Sequence, residues 1–425
     1  MLSLFLAPLA IAVAETAWAA PISDIPSSVL TPDQINLVRS RLIEGAQASW
    51  ELGTSTQALL EYDYPALSVY GPLMKHIRCY RQTRAEAFVY DTSVGDPASL
   101  GVAMLVANFT GATGGDYNTA IEQQLDYLLN KAPRNTNGAI SHRSEQIQLW
   151  SDNLSMVPPF LAYYGALHNN PTVIAEGFNQ TIVLTRPQIS TYRDILKADS
   201  QTGLWRHIQL GANTDMGHWS SGNGWAASGM TRVLATVAGS SLSSSFSNEQ
   251  ANLALWTAEI LTSAWAYQLP NGTLYNYPDL SSPSSATPNF AVSPSSAFSD
   301  ASGTALLAAT TYRLASHLVR YPNVTSTDAT GVSTTQSLSD ILARAGYSVR
   351  SLLTPASNAR KAVAASIDPV TGWLQNVVNP WSYSQRGVNS PEGQAFVLML
   401  EAAARDWEAL IKSSDHDTLE RNLGA

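Results

Sequence analysis

Helical periodicity runs through most of this chain and confines it to an all-α architecture. Apolar residues recur at i, i+3 and i+4 from Thr31 to about Leu52, and again over Pro97–Thr110, Tyr117–Lys131, Asn153–His168 and Pro171–Thr185. The same pattern returns over Gly222–Ala238, Asn248–Gln268, Ala301–Val319, Ser337–Leu353 and Pro391–Ile411. Several starts carry the right chemistry: Asp33 follows Pro32, and Asp96-Pro97 and Ser390-Pro391-Glu392 each put proline at the first helical position. Strand signals are few and short. Four glycine turns, Gly138-Ala-Ile, Gly203-Leu-Trp, Gly272-Thr-Leu and Gly372-Trp-Leu, each follow a polar turn and lead into a short β-prone piece. The first three are 65 and 69 residues apart, and the fourth is 100 further on, with the Ser/Pro-rich insert Ser281–Ser296 in that gap. A helix pair with its turn takes roughly that length. Repeated helical hairpins closing into a ring would give a double barrel of inner and outer helices. A plain all-α array with glycine turns is the alternative.

Of 425 residues, 45% are hydrophobic and only 13% charged, which implies a large core and no extended disorder. The net charge of −9 comes without any basic stripe, which argues against a nucleic-acid partner. Leu2–Ala14 is apolar, and Ala17-Trp18-Ala19 offers a small-x-small cleavage pattern before Ala20-Pro21. Residues 1–19 are therefore expected to be a secretory signal peptide and 20–425 one catalytic domain, although the first residues lack Lys or Arg. The apolar run is too short to span a bilayer, so the mature protein is expected to be soluble and extracellular. Sequons at Asn108, Asn153, Asn179, Asn271 and Asn323 fit that compartment. Cys79 is the only cysteine, so neither an internal disulfide nor a thiolate metal site is expected.

The chemistry concentrates in His142–Phe160, HRSEQIQLWSDNLSMVPPF. Asp152 sits there among Trp150, Leu154, Met156, Val157 and Phe160, and an aspartate in such surroundings is costly to bury unless paired, hydrogen-bonded or protonated. Kept protonated, it is a general acid; otherwise Ser151 or Asp152 is a helix cap for the run from Asn153. Asp96 reads as another cap that can also face a barrel cavity. His207 follows a Gly-Leu-Trp turn, beside Arg206. His218-Trp219-Ser-Ser-Gly-Asn-Gly-Trp225 places two tryptophans around a glycine-rich helix start, suited to stacking on sugars or to a plain helix contact. No HExxH, GxSxG, P-loop or dinucleotide-type glycine motif is present, and the histidines are too scattered for a metal centre. No cofactor is expected. Isolated aspartates among aromatics and amides are the equipment of carbohydrate chemistry.

Taken together these segments resemble the unsaturated rhamnogalacturonyl hydrolases of glycoside hydrolase family 105, over roughly Asp96–Met399. Gln148-Leu-Trp-Ser-Asp-Asn-Leu-Ser-Met156 with Pro159-Phe160 is similar to the family's Q-x-W-x-D-x-x-x-M…PF segment, and Gly203-Leu-Trp-Arg-His207 to its G-L-x-x-H. Trp219–Trp225 is similar to W-x-R-x-x-G-W, Asp300-Ala-Ser-Gly303 to E-S-S-G, and Pro391–Phe396 to H-G-x-G-A-F. The resemblance implies an (α/α)6 barrel of six helical hairpins and, without a metal, hydration of the C4=C5 double bond in a terminal unsaturated uronic acid left by a polysaccharide lyase. It implies Asp152 as general acid and then base, with Asp96 as the second essential aspartate. It places His142, Gln148, Trp150, His207, Trp219 and Trp225 around an acidic oligosaccharide from pectin or a related polymer. The family arginine that binds the substrate carboxylate is Ser221 here; Arg206 is expected to take its place, with Arg143 the other nearby cation. An inverting glycosidase using Asp96 and Asp152, or a non-catalytic sugar-binding relative, are the alternatives.

Overall fold

The computed structural model describes residues 29–71, 92–113, 115–178, 188–197, 202–281, 297–327, 330–414 and 416–423. Helices dominate: α1 (Pro32–Gly45), α2 (Ser49–Asp63), α3 (Gly101–Thr110), α4 (Tyr117–Asp126), α5 (Asn153–Leu167), α6 (Pro171–Phe178) and α7 (Gln188–Leu196). They continue with α8 (Ser220–Ala238), α9 (Ser247–Trp265), α10 (Ala301–Arg320), α11 (Leu338–Arg344), α12 (Val349–Ala365), α13 (Pro391–Ser413) and α14 (His416–Leu423). A 3-10 turn, Asp96–Leu100, leads into α3.

Six of these helices close a ring. Helix α2 packs on the turn before α3, that turn on α5, α5 on α8, α8 on α10, α10 on α13, and α13 back on α2. Outside the ring, α1 lies on α13, α4 on α3, α6 on α5, α9 on α8 and α12 on α10. This is the all-α barrel of helical hairpins that the family resemblance implies, and not the plain array that the glycine turns also allowed. Inner helices must be apolar on every side, and α8 is buried along its whole length while α10 is buried from Ala301 to Leu318. Small residues let them approach: a Cβ on Gly229 would run into the backbone of Leu154, and one on Gly101 into the Phe160 ring. Buried ion pairs tie the ring at its far end. Arg313 on α10 pairs with Glu61 of α2 at 2.9 Å and with Asp406 of α13 at 2.6 Å.

Short strand pairs stitch the starts of inner helices together. β1 (Leu149–Trp150) pairs antiparallel with β2 (Ile208–Gln209), and β3 (Leu274–Tyr275) with β4 (Ser299–Asp300). β1 feeds α5, β2 precedes α8 and β4 runs directly into α10. The glycine turns lie just upstream. Gly138, Gly272 and Gly372 take φ values of +85°, +89° and +79°, where L side chains are strained, which explains the residue type. Gly203 has a different reason: a Cβ there would press on the Glu259 backbone.

Several boundaries differ from the periodic reading. The expected helix from Thr31 breaks after Gly45, because Glu51 turns back to accept the backbone N–H groups of Gln47 and Ala48 and caps a new helix. The segment expected as Ser337–Leu353 divides into α11 and α12 around Gly346 at φ +86°. An exposed hairpin, β5 (Asn323–Thr327) with β6 (Ser333–Ser337), lay outside the expectation, since its Ser/Thr alternation has no apolar face. A fourth pair joins β7 (Val378–Asn379) to β8 (Ser382–Arg386). The expected signal peptide, Cys79, Asn179 and most of the Ser/Pro-rich insert lie outside the described residues. Among the described residues no helix is long and apolar enough to cross a membrane.

Candidate active site

Closing the ring brings the first turns of the inner helices to one end, and a cavity of about 330 Å³ opens there. Its wall takes Trp50 from the start of α2, Asp96 from the turn before α3, Asp152 from the start of α5, Trp219 from the start of α8 and Glu392 from the start of α13. Strand and loop residues complete it, among them His142, Arg143, Gln148, Trp150 and Tyr383. Each helix start directs the positive end of its dipole toward this end of the barrel, which favours anionic ligands.

Asp152 occupies the cap position of α5 but does not cap it. Its backbone is already helical (φ −57°, ψ −37°), and its side chain makes no capping bond. The carboxylate instead accepts Ser151 Oγ at 3.1 Å and lies 3.3 Å from His207 Nε2. The imidazole is fully buried behind it. On its other side, His207 Nδ1 meets Asp215 Oδ2 at 2.9 Å, and Tyr277 Oη donates to the same oxygen at 2.6 Å. The Gly217 N–H holds Asp215 Oδ1 at 2.9 Å. The result is a buried chain of carboxylate, imidazole, carboxylate and phenol.

Burial alone would lower the His207 pKa, but Asp152 and then Asp215 outweigh it and raise it to about 9. Burial pulls Asp152 upward, yet the charge and contact of His207, with a smaller effect of His142, leave its carboxyl below the usual range. Asp215 is lowered likewise: burial opposes, and His207, Tyr277 and the Gly217 N–H prevail. Of the two readings left open by the sequence, the cap is not made, and a carboxyl held protonated by burial is opposed by His207, which draws Asp152 toward its ionised form facing the cavity.

The second aspartate, Asp96, has Oδ1 3.6 Å from His142 Nε2. Its N–H is held by Ser93 Oγ at 3.0 Å, and the same hydroxyl donates to the His142 carbonyl, so the two residues are placed jointly. The His142 ring stacks on Trp150, centroids 4.6 Å apart. Gln148 accepts the Trp150 indole N–H at 3.1 Å and gives its own N–H to the Ala212 carbonyl. Its amide is therefore spent on orienting Trp150. Trp225 lines the cavity and packs edge-on against Phe396, while Trp219 packs at 4.5 Å on the His207 ring.

Three expected substrate contacts sit elsewhere. Arg206 does not line the cavity. Neighbouring side chains on an extended segment point to opposite sides, so with His207 inward, Arg206 faces away. Ser221 is fully buried and reaches Asp300 Oδ2 at 3.5 Å, which makes it a packing residue between α8 and α10. His207 lies behind Asp152, not on the cavity wall. Asp300 itself caps α10 through the N–H groups of Ser302 and Gly303. Arg143 is the one lysine or arginine on the described wall, its guanidinium 5.8 Å from the Trp150 ring centroid.

Sequence reasoning missed Asp215, Tyr277, Tyr383, Trp50, Trp381 and Glu392. Asp215 gave a faint signal, standing in a polar turn three residues before His218-Trp219. Tyr383 packs edge-on to His207 at 4.2 Å from a strand that carries no motif. Trp381, 72% exposed, meets Trp50 at 4.8 Å on the cavity rim, an aromatic edge suited to a further sugar. Among the described residues no group of three or more His, Cys, Asp or Glu could hold a metal ion.

Comparison with known proteins agrees with this architecture. Residues 45–298, more than half of the chain, match the model of Glycosyl Hydrolase Family 88. No curated protein matches. Among solved structures, a possible member of family GH105 from Salmonella enterica is similar with a TM-score of 0.59 and 15% identity, covering 91% of this chain and 97% of that one. A possible GH105 member from Klebsiella pneumoniae gives 0.59 and 17%, covering 92% and 99%. An unsaturated glucuronyl hydrolase specific for heparin gives 0.50 and 15%, covering 90% and 98%. The chain belongs to Glycosyl Hydrolase Family 88 and is a glycoside hydrolase of the six-hairpin fold.

Proposed function

We propose that this glycoside hydrolase removes terminal C4=C5-unsaturated uronic acids from oligosaccharides released by pectin lyases or related lyases. The observation that carries this reading is Asp152, 3.3 Å from the buried His207 imidazole, at the wall of an aromatic cavity ringed by helix starts. An enol ether needs a proton at C4 and a water at C5, and one carboxyl group at one wall can serve both steps. The bound sugar brings its own carboxylate and excludes water, which raises the proton affinity of Asp152. The proton then passes from His207 Nε2 to Asp152 and on to C4, leaving positive charge shared between C5 and the ring oxygen. Water adds to C5 and yields its proton to Asp152. The hemiketal so formed opens, the C1 aldehyde is freed and the aglycone leaves with its hydroxyl. Asp215 and Tyr277 hold the imidazole in place, and Asp96 with His142 orients sugar and water.

Arg143 replaces Arg206 in this reading as the cation for the substrate carboxylate, because it alone of the two reaches the cavity. Secretion is part of the proposal. It is supported by the apolar Leu2–Ala14 run and by exposed sequons at Asn108, Asn271 and Asn323. The sequon at Asn153 is buried, and its side chain is engaged by Tyr192 Oη at 2.7 Å, so it carries no glycan.

Three outcomes follow from the geometry. The enzyme will abolish the ultraviolet absorbance of the conjugated double bond in a lyase digest, and Asp152→Asn will slow this by about 10³-fold in a chain that still folds; turnover near that of the wild type removes Asp152 from the mechanism. Arg143→Ala will raise KM about tenfold or more while kcat changes less, as expected for loss of a charged hydrogen bond; an unaltered KM rules Arg143 out as the anchor. The third concerns pH. The folded pKa of His207 lies above its ordinary 6.5, at about 9, so its contribution to stability is complete below 6.5 and disappears as pH rises to about 9. The melting temperature should fall across that window, and a flat profile would show that His207 is not the buried cation.

A further inference from the structure

The first turn of α13 holds a carboxyl that the mechanism above does not use. Glu392 lines the same cavity as Asp96 and Asp152, and only 3% of it is accessible. Its Oε2 accepts the Trp50 indole N–H at 3.2 Å. The charged groups that act on it most strongly are all acids: Asp152 at the start of α5, Glu51 in the first turn of α2 and Asp300 before α10. Glu51 and Asp300 are themselves held by the backbone N–H groups that they cap. A buried carboxylate whose strongest charged neighbours among the described residues are all acids is costly, even at a helix start. Burial, Asp152 and Glu51 push this carboxyl well above the usual range, against the opposing Trp50 bond.

The cavity therefore holds two carboxyl groups in opposite states. Asp152 is ionised beside an imidazolium, whereas Glu392 presents an O–H. For an anionic sugar this has two consequences. One negative charge is removed from a wall that already carries Asp96 and Asp152. A donor is also supplied, and a carboxylate is the acceptor to which a donor binds most strongly. Arg143 contributes charge; Glu392 contributes a hydrogen bond without charge.

We propose that Glu392 is a substrate-binding residue whose carboxyl, held by Trp50, donates a hydrogen bond to the carboxylate of the bound uronic acid. This inference rests on the substrate class proposed above. Its test uses the full chain, one unsaturated uronyl disaccharide and the variants Glu392→Gln and Glu392→Met. Gln keeps a neutral N–H donor, so its KM should stay within about threefold of the wild type. Met keeps the length and loses the donor, so its KM should rise about tenfold or more with kcat changed less than about threefold. Trp50→Phe, which removes the N–H that orients Glu392, should raise KM in the same direction and serves if the Met variant does not fold. Unchanged KM in Met overturns the proposal, as does a Gln variant as impaired as Met. Loss of kcat at constant KM in both would make Glu392 a proton-transfer group and also overturns it. A wild-type enzyme inert toward the disaccharide sinks the substrate reading and this proposal together; a wild type that turns it over, with KM indifferent to Met, sinks this proposal alone.

Discussion

Closing six inner helices into a ring forces their N-terminal turns together, and the rest of the molecule follows from that constraint. The inner helices are buried on all sides, so α8 and α10 are rich in small and apolar residues, and several polar side chains among these are bonded, Thr231 and Thr310 to carbonyls of their own helix and Arg232 to the Ser155 carbonyl. At one end Arg313 pairs with both Glu61 and Asp406, joining three helices. At the other, the helix starts turn their positive dipole ends toward a cavity. Side chains in those first turns, Trp50, Asp96, Asp152, Trp219 and Glu392, become its wall without any long loop having to carry them.

The same constraint sets the protonation pattern. Asp152 and Glu392 are both carboxyl groups at helix starts, near enough for Asp152 to raise Glu392. What separates them is the partner behind each. Asp152 backs onto His207, itself clamped by Asp215, and stays ionised. Glu392 backs onto an indole N–H and acids, and burial with Asp152 and Glu51 pushes its carboxyl well above the usual range. Environments that drive two acids apart in this way let one cavity hold a charged group and a neutral donor at one pH.

Most of the frame was legible in the sequence, because helical periodicity and left-handed glycines are local signals. The positions of α5, α8, α10 and α13 follow from apolar spacing, and Gly138, Gly272 and Gly372 mark turns by residue type alone. Asp152 stood out because an acid in an apolar run is conspicuous. Its partners did not. Asp215 and Tyr277 lie 63 and 125 residues further along, joined to it only by the folding of α8 and its flanking strands. The state of Asp152 stayed open for the same reason: sequence shows burial, which raises a carboxyl, but not the His207 imidazole 3.3 Å away, which lowers it. Arg206 was favoured over Arg143 by closeness to His207 in sequence, yet alternation along an extended segment sends adjacent side chains to opposite sides. Glu392 was read within a helix start, where an acid is unremarkable, and only the closed ring reveals what surrounds it.

The central claim is that a proton reaches carbon C4 and the glycosidic bond breaks only as a consequence. Turnover of an unsaturated uronyl disaccharide in deuterated water, followed by proton NMR, tests this most directly. The account predicts that the vinyl signal of C4 disappears and that one deuterium enters at C4 as the aglycone is released. Release of the aglycone with the C4=C5 bond intact and no deuterium on C4 would contradict it.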